Sequence, residues 1–184
     1  MKHLLVFACL FVSLNVVANE LANGFVVFAN QDTVQTQIKI SGKQPVTNSN
    51  ELVVVQNGTE KVYKASEKEV IAYGFVFGQA SYTYRFFDIK KSYGSGFFRL
   101  IEGGEEFELY EMKVKGVDRE QEVAYSHYVI RKTSGEIFNF HTGLFSNWKK
   151  DLKEFIWDKP EAIKELNTLS RNDVPVFVRF LNTL

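Results

Sequence analysis

The chain has 184 residues, with 22 basic and 22 acidic side chains, so its formal net charge is zero. That balance carries neither the basic footprint of a nucleic-acid binder nor the acidic block of a solvating tail, and we expect no nucleic-acid partner. One cysteine stands against 17 Phe, 8 Tyr and 2 Trp, so aromatic packing is the main resource for a core.

Lys2 precedes an apolar run from Leu4 to Val17, and Val16-Val17-Ala18 fits the small-residue cleavage rule. This pattern predicts an export signal over residues 1–18, cut after Ala18. The run is about 14 residues long and broken by Asn15, short of the roughly 20 that a spanning helix needs. Lipidation at Cys9 would leave too short an apolar stretch before it. Cleavage discards Cys9, so the mature chain of about 166 residues has no disulfide and no thiolate and must rely on its core. No later segment is long and apolar enough for a transmembrane helix. The expected address is the periplasm or the medium.

From about Asn23 to Thr142 the pattern is that of short strands and turns. Gly24 to Ala29 is apolar and β-prone, and Asn30-Gln31-Asp32 reads as a turn. Thr33 to Ile40 alternates, with Val34, Thr36, Ile38 and Ile40 on one face and Gln35, Gln37 and Lys39 on the other. Leu52–Gln56 and Glu60–Lys64 flank Asn57-Gly58, a strong hairpin signal because a type I′ turn needs positive φ at both central residues. Ser66-x-x-Glu69 predicts a capping box over one helical turn. Further strands are predicted near 71–77, 81–89, 96–101, 106–113, 123–132 and 136–140.

From Ser146 the period becomes helical. Trp148, Leu152, Phe155 and Ile156 share one helix face, with Ser146 or Asn147 as cap. Asp158, Pro160 and Glu161 predict the start of a second helix, with Asp158 as N-cap. Its apolar stripe is Ile163, Leu166 and Leu169. Asp173 and Pro175 open a third, whose face is Val174, Phe177, Val178 and Leu181. The expected fold is α+β: mostly antiparallel β, about nine strands in a bent sheet, sandwich or barrel-like, with two to three short helices at the C-terminus. The organisation is a β-rich region over 19–145 and a helical tail over 146–184 packed on the same domain.

Several of these features recur together: Gly24-Phe25-Val26-Val27 with Asp32-Thr33, the Asn57-Gly58 hairpin, Ser66-x-x-Glu69, then Phe145, Lys149-Lys150-Asp151-Leu152, Lys159-Pro160-Glu161 and Leu166. In these the chain resembles a family of exported, uncharacterised proteins common in Bacteroidota. The resemblance implies a signal peptide, a β-rich domain and a helical tail. It implies no activity and no site residue.

Candidate chemistry is sparse. The mature chain has His127 and His141, at no metal-ligand spacing, and no cofactor is expected. Ser95 lies in Gly94-Ser95-Gly96, which lacks the Gly-x-Ser-x-Gly elbow. A hydrolase would need Ser95, a histidine and an acid such as Asp88 to converge. Glu102, Glu105, Glu106, Glu108 and Glu111 form the densest acidic cluster, and in a strand Glu106 and Glu108 share a face, as on a solvated sheet surface. The aromatic run is more unusual. Tyr73, Phe75 and Phe77 alternate at strand spacing, as do Tyr82, Tyr84 and Phe86. Facing inward they would build the core, and facing outward they would form a patch for an envelope protein or an apolar or sugar ligand. The reading that follows is an exported, non-catalytic binding or interaction protein of the cell envelope. An envelope hydrolase and a structural accessory subunit are the alternatives.

Overall fold

A computed structural model describes residues 19–41, 50–89, 95–118, 121–140 and 147–184. It is an α+β fold: one open antiparallel sheet of ten strands and three short C-terminal helices. The strands are β1 (Asn19–Phe28), β2 (Thr33–Ser41), β3 (Glu51–Gln56), β4 (Thr59–Lys64), β5 (Val70–Phe77), β6 (Ala80–Phe87), β7 (Gly96–Glu102), β8 (Phe107–Asp118), β9 (Gln121–Lys132) and β10 (Ile137–Asn139). The helices are α1 (Trp148–Phe155), α2 (Pro160–Glu165) and α3 (Val174–Leu181). Each of the segments read as strand or β-prone from the sequence forms a strand, ten against the expected count of about nine, and β1 starts before the apolar stretch, with Asn19–Asn23 paired to Gln37–Ser41 in β2. Among the described residues no helix is long and apolar enough to cross a membrane.

The strand order is β10-β9-β8-β7-β6-β5-β1-β2-β3-β4. Two meanders are therefore joined where β5 returns to pair with β1. In a flat sheet β4 and β5 would stand four spacings apart, about 19 Å. The link from Lys64 to Val70 is short and partly coiled into a 3-10 turn over Ala65–Glu67, so the sheet must roll to close that gap. The roll is visible directly: the rings of Phe28 in β1 and Tyr63 in β4 lie 5.5 Å apart, edge to face, although two strands separate β1 from β4. Inside sit Ala22, Val26, Ile38, Ile40, Leu52, Val54 and Tyr63, packed on Tyr73, Phe75, Tyr84 and Phe97. A backbone contact permits the curvature. A Cβ at Gly24 would fall on the Gly74 carbonyl, and one at Gly74 would strike the Phe25 ring, which lies across it.

The helices form a second core on β7–β10. Phe107, Leu109, Ile130, Phe138 and Phe140 receive Leu152, Ile156, Ala162, Leu166, Leu169, Val174, Phe177, Val178 and Leu181. Each predicted apolar stripe thus finds its partner surface. Asn147 caps α1 by accepting from the Lys150 N–H. Two predicted caps are corrected. The acid that reaches back before the 3-10 turn is Glu67, to the Lys64 N–H, because the turn begins at Ala65 rather than after Ser66. Lys159 rather than Asp158 is the N-cap of α2, which starts one residue later than expected with Pro160 in its first turn. A bulge after Leu100 lets two residues of β7 oppose one of β8, so Ile101 enters the helix core while Glu102 is freed to reach α3.

Candidate functional site

The predicted aromatic set falls on a single face. Tyr73, Phe75 and Tyr84 are buried, and Phe77, Tyr82 and Phe86 pack against them partly exposed. Register pairs Tyr73 with Tyr84 and Phe75 with Tyr82. The rings stack accordingly, at 4.7 Å and 5.3 Å between centroids, and Phe97 closes edge-on against Tyr73 at 5.1 Å. The alternation that made these residues look like one face is the alternation that lets β5 and β6 interlock as the wall of the roll.

The acidic cluster is dispersed by the strand period. Glu102 takes a bidentate bond from Arg179 of α3, Glu106 pairs with Lys159 at 2.7 Å, and Glu108 accepts from Arg131 at 2.9 Å. Glu108 also accepts from the Tyr110 hydroxyl, which receives the Arg85 Nε–H. Burial, then the Glu108 charge, push the Tyr110 hydroxyl above its ordinary range. Glu111 stands apart from the face shared by Glu106 and Glu108. It lies on the side opposite Glu108, between the roll and the helix core, and is only 7 % exposed. Its Oε1 accepts from Lys113 Nζ and from the Ser126 hydroxyl, each at 2.6 Å, and its Oε2 from Arg99 at 3.3 Å. Burial drives the carboxyl up, yet the bonds from Lys113 and Ser126 and the two cationic charges together outweigh it and hold it below the usual carboxylate range.

Ser95 and Asp88 do converge. The serine hydroxyl donates to Asp88 Oδ1 at 2.6 Å, and Lys68 pairs with Oδ2 at 2.5 Å. A nucleophilic serine needs its proton held by a base, with the acid behind that base. Here the acid holds the serine directly. The side chain of His127, which stands opposite Met112 in the β8–β9 register, and the whole of His141 lie outside the described residues.

A different feature stands out at the other end of the roll. β1 and β2 pair at nine register positions and β3 and β4 at six, whereas β2 and β3 pair only at Gln37–Val55 and Ile38–Val54. Ahead of Gln37 the two strands part. The Thr36 hydroxyl donates to the Val55 carbonyl at 3.2 Å, a side-chain bond where the main-chain ladder has stopped. The opening is a groove of about 630 Å³ lined by Asn23, Gly24, Gln35, Thr36, Gln37, Val55, Gln56 and Asn57. None of these side chains carries a charge, and five are amides, each with donors and an acceptor. The alternation of Gln35 and Gln37 was legible as a polar face, and Asn57 as a turn residue. That they meet around one opening depends on where the β2–β3 ladder ends, for which the sequence holds no signal.

No protein-family model matches the chain, and no curated protein or solved structure matches it.

Proposed function

We propose that the chain is an exported, non-catalytic binding protein of the bacterial cell envelope, with the β2–β3 groove as its ligand site. The groove carries this reading. Its volume lies in the range of small-ligand pockets. Its amides and hydroxyl can hold a ligand by hydrogen bonds, yet none of them exchanges protons near neutral pH, as acid–base catalysis requires. Export is supported by Lys2, the apolar run to Val17 and the Val16-Val17-Ala18 site, and cutting after Ala18 would leave β1 whole from Asn19. The resemblance to exported Bacteroidota proteins points the same way. Fractionation of cells making the full chain, followed by N-terminal sequencing, tests the address: the protein is expected in the envelope or medium, beginning at Asn19. A cytoplasmic chain that still begins at Met1 would overturn it.

A further inference from the structure

We infer that the ligand of the β2–β3 groove is a neutral saccharide chain, a reading that rests on the groove being a binding site and adds its chemical class. Three observations converge. First, the lining is uncharged, so it offers an anionic or cationic ligand no countercharge. Second, Asn23, Gln35, Gln37, Gln56 and Asn57 present amides, which both donate and accept. Sugar hydroxyls do the same, so a polyhydroxyl ligand satisfies both halves of each amide, whereas a purely apolar ligand would strand them. Third, the groove is a cleft that closes where the β2–β3 ladder resumes at Gln37. A peptide added as a strand needs a straight free edge with pockets for alternate side chains, and a closing cleft provides neither. A compact ring carrying hydroxyls needs only the walls.

The side-chain amides are themselves the reporter. In ¹⁵N-labelled protein, the NH₂ resonances of Gln35, Gln37, Gln56 and Asn23 should shift on titration with a neutral oligosaccharide from a panel of maltohexaose, cellohexaose and mannohexaose. Added salt should leave the affinity unchanged. Gln35→Ala combined with Gln56→Ala should weaken binding about tenfold, the loss expected for two hydrogen bonds. Both residues are exposed, so the backbone spectrum of the variant should stay otherwise that of the parent. If polygalacturonate moves the same resonances and the neutral sugars do not, the groove is a binding site but its ligand is not neutral, and if only an unstructured peptide moves them the saccharide assignment is wrong; either result overturns this inference. If no probe moves them, both the ligand class and the binding reading fail. Sugar binding that survives the double substitution would place the site elsewhere and overturn this inference.

Discussion

Glu111 shows how much one carboxylate can organise at the residue scale. Two cations and a hydroxyl converge on it in the strip between two apolar cores. Its partners Arg99 and Lys113 are 41 % and 57 % exposed, so they can rehydrate if it is removed. Glu111→Ala should therefore cost about 1–3 kcal/mol, the range for a lost buried hydrogen-bonded group, rather than the larger penalty of stranding a buried ion. Urea denaturation measures this, and a loss below about 0.5 kcal/mol would mean the carboxylate is effectively solvated. The sequence marked Glu111 only as one member of an acidic cluster. Strand period puts it on the face opposite Glu108, but both sides of β8 carry apolar neighbours, and which side is roofed depends on distant strands.

The helical tail and the sheet meet, at the scale of elements, through a side chain that acts as a strand. Asn182, just after α3, accepts from the Phe107 N–H at 2.9 Å and donates to the Phe107 carbonyl at 3.0 Å and to the Val178 carbonyl at 3.2 Å. Gly104 leaves the space this amide occupies, since a Cβ there would overlap it. Asn182→Ala should destabilise by about 1–3 kcal/mol, because the Phe107 main-chain groups lose their partner in a partly buried place. The signature is local: amide exchange in α3 should quicken more than exchange in β5 or β6, whose ring stack is untouched. Uniform quickening through both regions would show instead that tail and roll unfold as one unit. The helix stripes were legible from their period, and so was the need for a covering surface. The lock at Asn182 was not, because a single Asn beyond a helix end reads as an ordinary terminus.

At the scale of the whole molecule, acid sensitivity follows from two carboxyls. The bidentate bond from Arg179 holds Glu102 below its ordinary range, and the Glu111 carboxyl is also held low. A carboxyl depressed in the folded state contributes stability that is present above its unfolded value, about 4.3, and is lost as pH falls through its folded value. Thermal unfolding should therefore be nearly flat in pH between about 5 and 7 from these two groups and fall below about pH 4. The double variant Glu102→Gln, Glu111→Gln should be less stable at neutral pH and show a shallower acid decline. An unchanged acid slope would assign the decline to other carboxylates. These expectations sit on a fold whose parts were unequally readable. The sequence by itself determined the element types, the turns at Asn30–Asp32 and Asn57-Gly58, and the aromatic alternation along β5 and along β6, because side-chain period and positive φ are local properties of the chain. Only the tertiary structure decided that β5 returns to β1, that the sheet rolls instead of closing, that Glu111 lies under cover, and that β2 and β3 part to open a groove. Those outcomes depend on which strands become neighbours and how far each ladder runs, and such long-range pairing leaves no mark on the spacing of residues along a single strand.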